Sequence, residues 1–302
     1  MIDCGLEKLE CVVGSSSTLM KPTLQRIDKL MTNQQEIRAI IQRHATRGDI
    51  YNRDEGEEFD KAELALRALQ QYSDDLIPML VVALSDPDEA VRQVVMRLFW
   101  ELDTNDECVL PAMIKSLKDR NRSIRHAAAG FVTRFGERAG AAIPILQSWI
   151  ENGDEMSRIL ATGNILKIDP SKSGKLLPVL IDALGSDGIE QIEAIGQLEG
   201  LGEMSQEAVP SLKRLLHEDS TVSLQAADAI HAITGDPTDS ITVGVALLDH
   251  SEWLDRYVGA EHLGLLGAMA RPAIPRLKRT VLDDENEAVR NRAKVALAEI
   301  GM

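Results

Sequence analysis

Six histidines (His44, His126, His217, His231, His250, His262) and three cysteines (Cys4, Cys11, Cys108) are the side chains best suited to metal or nucleophilic chemistry in this 302-residue chain. Metal ligands must converge, so a site needs several His, Cys, Asp or Glu groups at matched spacing. The chain holds one adjacent His-Glu pair, His217-Glu218, and no CxxC. Cys108 precedes the apolar pair Val109-Leu110 at a helix start and reads as a small buried hydrophobe rather than a nucleophile. The acids Asp54, Glu55, Glu57, Glu58 and Asp60 fail as a calcium loop. With Gly56 at the sixth loop position, Tyr51 and Arg53 fall where oxygen ligands belong. These acids read as a solvated loop that complements the dipole of the helix after it. No G-x-x-x-x-G-K-[ST], no G-x-G-x-x-G behind a strand and no G-x-S-x-G occurs. The sequence thus assigns no catalytic residue, no metal and no cofactor.

Charge narrows the partners. Lys plus Arg is 33 against 48 Asp plus Glu, a net charge of −15. Long-range repulsion then opposes nucleic acid phosphate and anionic membranes alike. The basic clusters Lys118, Arg120, Arg122, Arg125 and Arg276, Lys278, Arg279 read as solvated turn and convex-face charge. Lys8, Glu7 and Glu10 interrupt the first residues, so no signal-peptide core is expected there. No run approaches the ~18 apolar residues that cross a bilayer. An odd cysteine count without CxxC fits a reducing compartment, and the chain is read as cytoplasmic. The apolar fraction of 44% suffices for a core, whereas aromatics are only 3%.

The elements that would position any site follow from a repeat. Pro78, Pro111, Pro144, Pro178, Pro210 and Pro275 recur at about 33 residues, with Ile241 in the vacant register. Apolar residues follow each proline two and six positions on, as in Leu80 and Leu84 or Leu277 and Val281. That is helical spacing, with the proline in the first turn, where its missing N–H costs little. Eight positions after each register point comes a turn residue: Asp86, Asp119, Asn152, Ser186, Glu218, Asp249, Asp283. A second helical pattern follows, clearest in Val91-Arg92 with Val95, Ile124-Arg125 with Ala128, and Val289-Arg290 with Ala293. Gly136, Gly202, Gly267 and Gly301 close these second helices. Each unit is therefore helix A, a short turn and helix B, and no strand pattern intrudes. A unit this small buries its apolar faces only by stacking on its neighbours. Residues 1–21 are expected to be a flexible tail, with Met31 a plausible alternative start. Residues 22–72 form an N-terminal helical cap, with helices at Asn33–Ala45 and Phe59–Gln70. Residues 73–302 carry about seven repeats.

The order of proline in helix A, acid at the turn and V-R-x-x-A in helix B is carried best by SDPDEAVRQVV, KDRNRSIRHAA and LDDENEAVRNRA. It resembles HEAT repeats, specifically the short bacterial kind called PBS-lyase HEAT-like repeats, over residues 73–302. The resemblance implies an all-α, right-handed α-solenoid of stacked helical hairpins. It also implies a structural ladder, Asp86, Asp119, Asp249 and Asp283 with Arg92, Arg125, Arg158, Arg256 and Arg290. In such a ladder Asp accepts from backbone N–H groups and Arg bridges to the next repeat. Gln191 and Ser223 depart from the arginine pattern. Deoxyhypusine hydroxylases are similar in fold but hold two irons with several His-Glu pairs, a pattern missing here. HEAT-like DNA glycosylases need a basic, aromatic-lined face, also missing. Phycobilin lyases, which gave the repeat its name, remain an alternative function, as enzyme or enzyme subunit.

The leading expectation is a non-enzymatic scaffold that grips a protein or peptide on the concave face lined by helix B. Its candidate contact residues are Arg97, Trp100, His126, Arg134, Leu160, Ile192, Leu224 and Tyr257. Trp100 is the expected anchor. Ile159, Leu160, Ile192, Leu224, Tyr257 and Val258 make either an exposed apolar stripe or a part of the core. Gly130, Gly163 and Gly196 repeat at one-unit spacing in mid-helix, where each costs about 1 kcal/mol relative to alanine. They serve either close helix packing or a groove floor that a partner backbone approaches. A homo-oligomer through the C-terminal unit is the further expectation, with Val295 and Ala298 at its edge.

Overall fold

The computed structural model describes residues 35–42, 68–69 and 76–301. The tail, most of the cap, Cys4, Cys11, His44 and the acid cluster around Gly56 lie outside the described residues. Among those described there is no strand. From residue 76 the chain forms helical pairs. In order these are α1 (Leu76–Ala83) with α2 (Glu89–Leu102), α3 (Val109–Ser116) with α4 (Arg122–Val132), and α5 (Ile143–Asn152) with α6 (Glu155–Ile168). Then come α7 (Ser173–Ala183) with α8 (Ile189–Leu201), α9 (Val209–Arg214) with α10 (Ser220–Thr234), α11 (Thr238–Leu247) with α12 (Trp253–Leu265), and α13 (Ile274–Asp283) with α14 (Glu287–Glu299).

The helix starts follow from capping chemistry. Asp88, Asn121, Asp154, Asp219 and Asn286 each precede a B helix and accept from an amide of its first turn. Pro210 and Pro275 sit at the first positions of α9 and α13, where no helical bond is lost. Pro178 is different: α7 begins earlier, so this proline lies inside the helix rather than in its first turn. Gly136, Gly202, Gly267 and Gly301 all adopt positive φ where the B helices end. A side chain there would be strained, which is why glycine closes these units.

The chain divides into two compact units, Met1–Ser148 and Trp149–Met302. In the first, α1 packs on α3 and α2 on α4, helix A on helix A and helix B on helix B. Its core is aliphatic and aromatic, with Leu80, Leu98, Phe99, Met113, Leu117, Ile124 and Phe131 fully buried. Each such side chain contributes roughly 1.5–3 kcal/mol relative to exposure. In the second, α6, α8 and α10 pack successively, as do α12 and α14. One cluster there joins Leu180, Leu198, Leu212 and Ile230, and another joins Leu263, Leu277, Ala293 and Ile300. Within each unit, hairpins stacked on their neighbours are the architecture of an all-α solenoid.

Candidate functional site

The helix-B residues expected to face a partner divide on inspection. Trp100 at the end of α2 is 40% exposed, although it is a large aromatic. Its ring lies across Gly130 of α4, where a Cβ would touch the ring at 3.4 Å. Phe131 meets it edge-on, with centroids 5.5 Å apart and planes at 87°. The Arg134 guanidinium stacks over both, 4.9 Å from the Trp100 ring and 5.0 Å from Phe131. Arg134 lies just beyond α4, in the 3-10 stretch Thr133–Ala142. It pairs through Nη2 with Asp103, which holds a left-handed φ of 45° at the end of α2. Its Nη1 is buried without a hydrogen-bond partner. One side of this cluster is thus an exposed indole with a cation behind it, an arrangement that suits aromatic, aliphatic or acidic partner groups.

Two of the other expected contacts, His126 and Leu224, are corrected. His126 is buried at 9% exposure and is not on an open face. Leu224 belongs to a core cluster with Ala227, Val243 and Leu247. Ile159 is core as well, so two of the six residues of the expected apolar stripe are interior and the other four are half-buried. Arg97, Leu160 and Tyr257 are half-buried. Ile192 is half-buried too, but its amide closes the first turn of α8 onto the Gly188 carbonyl. In α2 and α12 the residues making that same closure are Arg92 and Arg256, so Ile192 occupies the ladder register.

The ladder is a set of two-point ion pairs. Arg92 donates from Nε and Nη2 to Asp119, at 2.7 and 2.9 Å, and from Nη1 to the Asp86 carbonyl at 2.9 Å. Arg38 bonds Asp86 from Nε and Nη2 at 2.6 and 3.2 Å. Arg256 bonds Asp284 in the same way at 2.8 and 3.2 Å. Arg125 and Arg290 donate to the carbonyls of their own turns, Asp119 and Asp284. The turn carboxylates in their turn accept the amides of Asp88, Asn121 and Asn286.

Two turn assignments shift by one residue. Asp284, not Asp283, is the ladder acid of the last unit. In the preceding unit His250 takes the turn position, its Nδ1 accepting from the Glu252 amide. Asp249 pairs instead with Arg276 of helix α13 at 2.6 Å. Arg158 is exposed, and at its junction Ser186 bonds Glu155 at 2.6 Å.

The glycines at one-unit spacing differ from one another. Gly163 in α6 seats the Gln197 side chain of α8, and Gly196 has open space above it. Gln197 accepts from Lys167 at 3.1 Å and donates to Glu193 at 2.7 Å. Burial pushes the Lys167 ammonium below the usual lysine range, and the Glu193 charge opposes that shift in part. Sequence reasoning missed this network, although polar residues at helix-B positions of successive repeats were its visible signal. Cys108 is half-buried at the start of α3. Among the described residues no three His, Cys, Asp or Glu side chains are grouped as a metal site would require, and no helix is long and apolar enough to cross a membrane.

Residues 77–165 match the family model described as HEAT repeats. Solved structures are similar in fold at low identity. The complex of CpcE and CpcF of phycocyanin lyase from Nostoc sp. PCC7120 shares 20% identity over 74% of this chain and 88% of that one, with a TM-score of 0.46. The karyopherin Kap121p, bound to the extreme C-terminus of the protein phosphatase Cdc14p, shares 14% identity over 94% of this chain, with a TM-score of 0.44. Importin beta shares 15% over 97% of this chain, with a TM-score of 0.39. The chain spans 35% of that karyopherin chain and 50% of that importin chain. A comparison with the curated proteins yields no match.

Proposed function

We propose that this protein is a non-enzymatic interaction scaffold that binds a peptide or protein partner on its helix-B face, with Trp100 as the anchor. The carrying observation is the exposure of Trp100 at 40%, with its ring against Gly130 and the Arg134 guanidinium over it. Large aromatics are expensive to leave in water, and an exposed aromatic beside an arginine is the composition of interface hot spots. Acidic side chains around such a face would set specificity more than affinity. The fold supports this reading because stacked hairpins offer long surfaces with little dedicated chemistry.

The test is selection of binding peptides on the full chain, followed by measurement of the selected peptides on Trp100→Ala and Arg134→Ala variants. Both variants must first keep the helical circular dichroism of the parent. Affinity should fall by about tenfold or more on Trp100→Ala, the loss of a hot-spot residue. Peptides that bind both variants as well as the parent would place the partner face elsewhere.

A further inference from the structure

In the turn before α12 one imidazole nitrogen stands between a donor and an acceptor. His250 Nδ1 lies 3.3 Å from the Glu252 amide nitrogen, which donates to it, and 2.9 Å from the Asp255 carboxylate. That nitrogen carries either a lone pair or a hydrogen, so it cannot serve both neighbours at once. In the neutral ring with its hydrogen on Nε2, Nδ1 accepts from Glu252. In the protonated ring, Nδ1–H donates to Asp255 and the Glu252 amide loses this acceptor. The His250 side chain is 42% exposed, so bulk water can deliver the proton.

Elsewhere in the array carboxylates hold this position. Asp86, Asp119 and Asp284 each accept the amide two residues on, as His250 does for Glu252. Their arginine and amide partners hold those carboxyls below the usual range, so they stay charged well into acid. An imidazole exchanges its proton between about pH 5 and 8. The helix after His250 also starts without a side-chain cap, whereas α2, α4 and α14 are capped by Asp88, Asn121 and Asn286.

The same turn holds a rung. Arg256 Nη1 receives the His250 and Ser251 carbonyls at 3.0 and 2.8 Å, and its Nε and Nη2 reach Asp284 of the next hairpin. A change in the turn therefore reaches the joint between α12 and α14. The charged groups of its own hairpin are Asp249, Glu252, Asp255 and Arg256. From α13, Arg276 bonds Asp249 and the Leu248 carbonyl. The turn before α14 brings Asp284 and Glu285, both bonded to Arg256, and the turn before α10 carries His217, Glu218 and Asp219.

We propose that the turn before α12 is a proton-operated switch: neutral His250 closes it on the Glu252 amide, and protonated His250 pairs with Asp255, releases that amide and loosens the seat of Arg256. The turns built on Asp86, Asp119 and Asp284 do not respond in the same interval, so one joint of the array senses the proton while those stay fixed. The switch lies in the second compact unit and does not depend on the Trp100 face.

The test is a pH titration of the ¹⁵N-labelled full chain from about pH 8 to about 5, following imidazole nitrogens, backbone amides and arginine Nε–H groups. At the upper end the His250 ring should carry its hydrogen on Nε2. As it takes up a second proton, the Glu252 amide and the Arg256 Nε–H should shift with the same midpoint, and the Glu252 amide should lose protection from exchange. The amides of Asp88 and Asn121, held by carboxylates, should stay still. His250→Asp installs the carboxylate of the other turns and should hold the Glu252 and Arg256 signals fixed throughout. His250→Asn supplies an uncharged acceptor and decides the matter if the aspartate disturbs the fold. The proposal is overturned by a neutral ring with its hydrogen on Nδ1, by a Glu252 amide that does not follow the His250 titration, by equal movement at Asn121, or by the same movement in a folded His250→Asp or His250→Asn.

Discussion

Arg92 and Asp119 meet across successive hairpins through two parallel bonds, at 2.7 and 2.9 Å, with side chains only 12% and 9% exposed. Removing one partner of such a pair leaves a charge with little water to replace it. Asp119→Ala should therefore cost about 2–4 kcal/mol, read as a lower urea midpoint. An Arg92→Met, Asp119→Leu double variant should recover much of that loss, because both charges leave together. A single variant as stable as the parent would show that the rung contributes nothing.

The rungs also set a pH dependence. Burial pushes the carboxyls of Asp86, Asp119 and Asp284 up. Bonds from Arg38, Arg92 and Arg256, together with backbone amides and neighbouring arginine charge, outweigh burial and hold all three below the usual range. A carboxyl depressed in the folded state gives stability that is present above its unfolded value, about 3.9, and lost as pH falls through the folded value. Urea midpoints should hold from neutral pH to about 5 and then fall below about 4. Asp119→Asn with Asp284→Asn should be less stable at neutral pH and show a flatter acid limb. Parallel acid limbs would remove these carboxylates from the account.

Asp283 and Asp284 provide a one-residue test of register. Asp284 is bonded to Arg256 and is 6% exposed, whereas Asp283 ends α13 and is exposed. Asp284→Ala should cost about 2 kcal/mol or more. Asp283→Ala should stay within about 0.5 kcal/mol, as surface changes do. Thermal unfolding of the two variants side by side distinguishes them, and equal losses would contradict the register.

The three helix-B glycines should respond with different signs. Gly196 has open space for a Cβ, so Gly196→Ala should stabilise by about 0.5–1 kcal/mol through helix propensity. Gly130→Ala meets the Trp100 ring at ordinary contact distance and should be nearly neutral. Gly163→Ala collides with the buried Gln197 side chain and should cost about 1–3 kcal/mol. A uniform gain across all three would mean that Gln197 moves aside freely.

The repeat was legible because helix A announces itself twice, by proline and by the apolar pair behind it, as at Pro78 with Leu80 and Leu84. The exposure of Trp100 was legible because a bulky apolar residue fell on the outer side of a B helix. The turn acids were legible only to within a residue. Asp283 and Asp284 are adjacent acids, and the choice between them depends on Asn286 capping α14. The same slip matters more within a helix, where one residue turns a side chain by about 100°. Leu224 and His126 were placed outside by that margin and lie inside. Ile192 was read as a groove residue because the α8 cap is Gly188, whose positive φ and missing side chain give no capping signature.

Two of the rungs join residues only one repeat apart, 27 positions for Arg92 to Asp119 and 28 for Arg256 to Asp284. The consequence concerns the nascent chain on the ribosome. A rung can close as soon as the next turn emerges, before distant segments exist. Contacts of short sequence separation carry little loop-closure cost and form quickly. Such a chain gathers its structure in order of synthesis, hairpin upon hairpin.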